Sequence, residues 1–471
     1  MKKQKLKWLI PCAAAVFTIG ASMTSFAAQG WAQENNSWVY YDSDGELTTD
    51  AWRKSGDHWF YLDEDGQIVT SSLVESDGNY YYVNSEGAMV SNEWRAIDSD
   101  YEEEDAPDAY WYYFGSNGKA YKAPTSGKTT FKSIKIASGE SKNYAFDDEG
   151  RMLFGWVTEE STRLSEDDAW REGIYYCGDS SDGAQTNGAW KLIEVEDDNN
   201  TQDNFDGTYW FYFGTNGKKL KDTTKTINGL KYLFDENGAA QSEWQETTAS
   251  TSSSAKYYNL PEQSWLAKGW FKTVPSEDID PEAHEDGTEY WFYAVNSGEL
   301  TKSQIKSING LRYGFNEKGE MLHGLYKLTF EDGRTIASAE EIETESDLPG
   351  VDDAAEVYYF GNSPKEGAMV TGKTTLEIDG ETYTYNFRKA GSNRGAGYNA
   401  IYDDSIYVQG RLLKADRDEK YKVVEYDGKE YLVGTSGKLA KNKKNIKDGD
   451  EKYYVTNSDG SIKESGYEKF K

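Results

Sequence analysis

The chemistry open to this chain lies mostly in its aromatic rings. Trp31 and Trp38 stand seven residues apart, and Trp52 and Trp59 repeat that spacing. Tyr40-Tyr41 and Phe60-Tyr61 follow close behind. The π faces of such rings attract cations. The same faces also stack on sugar rings, and the same residues can simply form a core. Catalytic groups are scattered by comparison. His58, His284 and His323 stand alone in the sequence, without zinc-ligand spacing. No G-x-S-x-G or Cys–His pattern appears. Among 82 acidic residues some carboxylate pairs will come close by chance. No segment is left over for a catalytic domain, so the chain reads as a non-enzyme without cofactor or metal. The acidic runs are oxygen-rich, but none fits the calcium loop D-x-[DN]-x-[DN]-G-x5-E, and solvated tips are expected instead.

The elements that position these rings follow from a repeat. Copies start at residues 31, 52, 73 and 94, a period of 21. In the first copy Trp38 and Tyr40 alternate with Val39 and Tyr41, which puts the first two on one face of a strand. Asp44-Gly45 supplies a turn, since Gly accepts positive φ. The residue two after that Gly is apolar in many copies (Leu47, Ile68, Met89, Met152, Met321, Met369) and is expected to close over the aromatics. One hairpin of this size is marginal in water, whereas stacking buries each against the next. The expected fold is therefore all-β, a solenoid of stacked short β-hairpin repeats.

Later copies are longer. Trp94 is followed by Trp111, Trp190 by Trp210, and Trp270 by Trp291, with acidic runs between them; Trp156 is expected to face Tyr175. The insertions are expected at the tips of the same hairpins. Residues 225–244 and 306–325 are near copies 81 residues apart, as are Trp210 and Trp291. The chain divides into a leader (1–27), short repeats (28–93), long acidic-insert repeats alternating with short ones (94–373), and degenerate hairpins forming a cap (374–471).

Residues 1–27 read as a secretory signal peptide, with Lys2, Lys3, Lys5 and Lys7 ahead of an apolar run and Ser25-Phe26-Ala27 as the cleavage site. No other stretch is apolar enough to span a membrane. The remaining chain keeps one cysteine, Cys177, expected as a small buried apolar residue. The full chain carries a net charge of −31, which disfavours nucleic acid as a partner and suits a cationic ligand or plain solubility. The C-terminal lysines 438, 441, 443, 444 and 447 read as a solvated face.

Gly30-Trp31, Trp38, Tyr40-Tyr41, Gly45, Leu47 and Thr49 match GW-x6-WYY-x-D-x-x-G-x-[ML]-x-T. This resembles the choline-binding, or cell-wall-binding, repeat of Gram-positive surface proteins, relatives of which occur in glucan-binding and clostridial toxin tails. The likeness runs from residue 30 to about 325 and more weakly to 471. It implies a ligand box of two Trp from one repeat, an aromatic from the next, and a closing Met or Leu. Carried over, Trp31 and Trp38 pair with Tyr61, and Trp52 and Trp59 with Tyr82. Further boxes are expected at Trp190/Trp210 and Trp270/Trp291. Leu73 and Tyr80 replace both Trp of the third copy, and the insertion separates Trp94 from Trp111 in sequence, which puts boxes there in doubt. The implied function is non-covalent attachment to teichoic-acid choline by a secreted, wall-associated protein. Binding of a cell-surface polysaccharide such as glucan, or of a protein partner through the acidic tips, stays open.

Overall fold

A computed structural model describes residues 29–99, 106–195, 207–246 and 255–471. The expected leader lies outside these residues. The described chain is nearly all β, built from short antiparallel hairpins. It divides by compactness, not by repeat type, into a unit of residues up to 223 with 234–240 and a unit of 224–233 with 241–471.

In the first unit, Gly30–Glu34 pairs with Ser37–Tyr41 through a two-residue turn at Asn35 and Asn36. Both have positive φ, 49° and 67°, which matches the right-handed strand twist. Register sets Trp31 opposite Tyr40 and Gln33 opposite Trp38, so all four share a face while Val39 is buried behind. A second turn follows. Asp42 Oδ1 accepts from the N–H groups of Asp44 and Glu46 at 2.9 and 3.0 Å, and Asp63 repeats this with Asp65 and Gln67. The aspartate thus organises the turn that Gly45 completes at φ 77°.

The residue two after each turn glycine links neighbouring hairpins. Ile68 N–H donates to Trp38 O (2.9 Å), Met89 to Trp59 O (2.8 Å), Ala120 to Tyr80 O (2.8 Å) and Met152 to Trp111 O (2.7 Å). Hairpins therefore stack by hydrogen bonds as well as by apolar contact. Phe114, Phe211 and Phe213 are fully buried along this unit. Cys177 is buried with Ala145, Leu153, Val157 and Tyr175, and burial pushes its thiol up to about 12.

The acidic insertions fall beyond strand ends. Glu93–Asp98 pairs with Ala109–Phe114 out to Asp98 opposite Ala109, and Ala189–Val195 pairs with Gly207–Phe213. Most of both insertions lies outside the described residues. In the second unit, the insertion between Trp270 and Trp291 holds a short helix, Pro281–Glu285, capped by Asp280. The run before Tyr358 departs from a simple tip. There Gly324–Phe330 pairs with both Ile336–Glu341 and Glu356–Gly361, so part of the insertion adds a strand. The C-terminal region also departs from plain hairpins, with a five-stranded sheet that begins at Gly372–Ile378 and Glu381–Phe387. Beyond it the expected hairpin Tyr421–Tyr426/Lys429–Gly434 forms. Lys438 and Lys441 pair with Asp403 and Asp404 at 3.1 and 2.6 Å.

Candidate functional site: aromatic boxes at hairpin junctions

Alternation along the strands builds the site. In the hairpin Gly269–Thr273/Tyr290–Ala294, Trp270 pairs with Tyr293 and Lys272 with Trp291, so both Trp project from one face. Their rings meet edge to face at 6.2 Å and 90°. The next hairpin, Gln304–Ile308/Leu311–Phe315, sets Tyr313 against Trp270 at 4.8 Å and stacks Phe315 on it at 5.7 Å. Met321, held by its N–H to Trp291 O at 2.8 Å, packs in the same cluster. Trp270, Trp291, Tyr313 and Met321, with Ile308 and Leu311, line a cleft of about 430 Å³. Glu366 stands at its rim and accepts from Trp291 Nε1 at 3.3 Å. Burial raises the Tyr313 phenol above its usual range. Lys365 stands beside Glu366, so the three ring walls themselves are what can receive a cation, and the same faces would also hold a sugar.

The arrangement recurs in the first unit. Trp31 meets Tyr40 at 5.3 Å and Phe60 at 5.5 Å, while Trp52 meets Tyr61 at 5.2 Å and Tyr81 at 4.9 Å. The ring reaching Trp31 from the next hairpin is therefore Phe60, not Tyr61, and the ring reaching Trp52 is Tyr81, not Tyr82. Strand alternation gives the reason. Tyr61 and Tyr82 stand opposite Trp52 and Leu73 within their own hairpins, and the residue before each faces back toward the preceding one. Trp38 is half-buried and Trp59 is 42% exposed, with Ile68 and Met89 bonded to their carbonyls.

The insertion after Trp94 does not separate its walls. Ala96 is opposite Trp111, so Trp94 and Trp111 share a face. Tyr144 lies 4.8 Å from Trp94, and Met152 packs in their cluster. Trp190 and Trp210 meet at 6.2 Å and 89°, and Phe234 stacks on Trp190 at 5.7 Å. There the closing residue is Ala240, which leaves that wall short. Tyr81, Tyr144, Tyr313 and Glu366 were not anticipated as site residues; the 21-residue period, followed one position earlier than Tyr61 and Tyr82, points to the first.

The third copy forms something else. Leu73, Tyr80, Tyr110 and Tyr112 line a cleft of about 630 Å³ together with Asp98, Glu149 and Arg151. Arg151 lies over the Tyr110 ring at 5.1 Å and pairs with Glu149 at 2.8 Å. Trp156 also departs from expectation. Its register partner is Tyr176, so the position of the second Trp, two residues before that partner, falls on Ile174, one residue earlier than Tyr175.

Parts of the chain are similar to known repeat proteins. A family model described as a choline-binding repeat matches residues 48–94, and one described as a cell wall binding repeat matches 29–47 and 109–120. Glucosyltransferase-I of Streptococcus downei is 24% identical over 221 residues, covering 45% of this chain and 12% of that protein. Glucosyltransferase-S of Streptococcus mutans is 24% identical over 242 residues, covering 48% of this chain and 14% of that protein. The chain thus spans only a small part of the length of these curated relatives. Among solved structures, choline-binding protein F of Streptococcus pneumoniae aligns at 18% identity and TM-score 0.41, over 75% of this chain and 100% of that one. The choline-binding domain of CbpL from the same organism aligns at 21% identity and TM-score 0.31, over 50% and 97%.

Proposed function

We propose that this chain, which carries repeats of the choline-binding, cell-wall-binding family, is a secreted, non-catalytic envelope-binding protein that attaches to choline-substituted teichoic acid through its aromatic boxes. The box of Trp270, Trp291, Tyr313 and Met321 carries the reading: its two Trp rings meet at a right angle, Tyr313 closes on Trp270, and its fourth side is apolar, with Glu366 and Lys365 together at the rim. A trimethylammonium head offers apolar methyls to the rings and positive charge to their π faces, so both kinds of wall are used. The boxes built on Trp31/Trp38, Trp52/Trp59 and Trp94/Trp111 are further sites, and that on Trp190/Trp210 is the weakest because Ala240 closes it. No helix among the described residues is long and apolar enough to cross a membrane.

The test is a titration of the chain with choline, followed by Trp fluorescence, with Trp270→Ala/Trp291→Ala in parallel. Saturable quenching is expected. Loss of both Trp walls, at about 1–2 kcal/mol each, should weaken that site by about 2–4 kcal/mol, roughly 100-fold. A flat response in the parent chain would sink the reading.

The third-copy cleft favours a second reading for its own region. Tyr80, Tyr110 and Tyr112 provide flat faces, while Asp98, Glu149 and Arg151 provide donors and acceptors for hydroxyl groups. That combination suits a carbohydrate, and the matched relatives are glucosyltransferases. Binding of glucose oligomers that survives saturating choline would support it.

A further inference from the structure

The junction at Trp156 repeats the box with one change at its closing position. Trp156 meets Phe211 of the next hairpin edge to face at 5.3 Å, as Trp270 meets Tyr313 at 4.8 Å. Phe213 approaches Trp156 at 5.9 Å, as Phe315 approaches Trp270 at 5.7 Å. Where Met321 donates its backbone N–H to Trp291 O, Lys219 donates its own to Ile174 O, both at 2.8 Å. Met321 lies against Gly367 of the following turn, and the Lys219 stem lies against Gly238 in the same way. Lys219 is thus the structural counterpart of the closing methionine.

Its ammonium then enters the box. Lys219 Nζ lies 4.9 Å from the centre of the Trp156 ring and 5.8 Å from that of Phe211. It donates to Trp170 O, and to Arg171 O at 3.2 Å. Both carbonyls belong to the one-turn helix Ala169–Glu172, whose last carbonyls lack partners within the helix. The residue is only 7% exposed. Two π faces and two carbonyl oxygens therefore surround one buried cation.

We propose that this junction is a cation box filled by the chain's own Lys219, an internal ligand in the place that an external quaternary ammonium would take. The inference rests on the reading of the aromatic junctions as cation sites. A tethered ammonium is present at high effective concentration, so free choline competes poorly for the same walls. Being primary, it also uses N–H donors toward Trp170 O and Arg171 O, which a quaternary ammonium lacks. The box is closed to outside ligand and fastens the short helix to the hairpin stack.

Two measurements on the full chain test this. The first is lysine side-chain NMR at about pH 5.5, below the value of about 7 to which burial lowers the Lys219 amine. One lysine is expected with ε-methylene protons shifted upfield by ring currents and ammonium protons protected from exchange. Lys219→Met should remove that signal. A Lys219 signal at the position of exposed lysines would overturn the proposal. The second is calorimetric choline titration of the parent and of Lys219→Met, which installs the residue that Met321 and Met89 already show to fit. The variant is expected to bind one additional equivalent of choline. If the parent binds choline and the variant gains none, the pocket is an apolar niche and the proposal falls. If neither binds choline, the function proposed above fails; the NMR signature then decides alone whether Lys219 is held as a cation between the rings.

Discussion

Glu320 shows what one buried carboxyl does among these hairpins. It is 4% exposed, and its Oε2 accepts from Asn316 Nδ2 at 2.7 Å. Burial is the main force on it, and Asp280 nearby acts in the same direction, so its pKa is pushed up to about 7. Between the ordinary glutamate range and that value, the folded state keeps a proton that the unfolded chain has lost. Stability therefore falls as pH rises through this window, and the loss is complete above it. From the size of the shift, the expected loss is roughly 2–3 kcal/mol. Glu320→Gln removes this titration and leaves the others, so the difference in urea-unfolding free energy between about pH 5 and about pH 8 should change by that amount between parent and variant. Equal slopes in the two proteins would show that the carboxyl is hydrated in solution. The closing position of the boxes is the other place where one side chain decides behaviour: Met, Ile, Ala and Lys all occupy it, with the backbone bond unchanged.

At the scale of the element, the turn glycines do two jobs that can be separated. Gly87 has φ +78°, and a Cβ there would come within 2.4 Å of Ile68 Cγ2 and 3.1 Å of Val69 O from the preceding hairpin. Gly78, in the hairpin turn, has φ +65° with nothing within 4 Å of a Cβ. Gly78→Ala should lose only the backbone preference, about 1 kcal/mol, while Gly87→Ala adds a packing conflict and should lose about 3 kcal/mol. Thermal unfolding by circular dichroism checks the difference, and equal losses would show that the hairpins separate enough to absorb a methyl group. These elements were legible in the sequence because Trp spacing, Asp-Gly turns and the 21-residue period all point to hairpins. The pairing of faces between hairpins was legible only in part. Alternation told which rings share a face, but Phe60 rather than Tyr61 reaches Trp31 because the stacking direction is set by backbone bonds such as Ile68 N–H to Trp38 O. Register across an insertion was hidden for the same reason: Ile174 and Lys219 become box positions only once Trp156 is paired with Tyr176. The strand Ile336–Glu341 lies mostly ahead of the acidic run that begins at Glu340, in a stretch that carries no repeat signal.

At the scale of the whole molecule, charge and repetition act on a polymeric ligand in opposite directions. A choline-bearing teichoic acid presents phosphates along its length, and a chain of net charge −31 repels them. Free choline meets no such opposition, so the two ligands should respond differently to salt. Raising ionic strength to about 0.1 M shortens the screening length to about 10 Å, and retention on the polymer should then strengthen while free-choline affinity weakens, because the same acidic charge that repels phosphate attracts the choline cation. Repetition works the other way. In the first unit, boxes on Trp31/Trp38, Trp52/Trp59 and Trp94/Trp111 lie on a stack of linked hairpins, so under the proposed function engagement of one would raise the effective concentration of choline at the next. Removing one box by Trp52→Ala/Trp59→Ala should leave the affinity of the remaining sites for free choline unchanged. Retention on a choline-substituted polymer should fall by a factor on the order of 10–100. Surface plasmon resonance on immobilised polymer, read beside solution titration with choline, measures both. Equal losses in the two assays would mean that each box binds alone and that the stacking of hairpins serves stability without serving attachment.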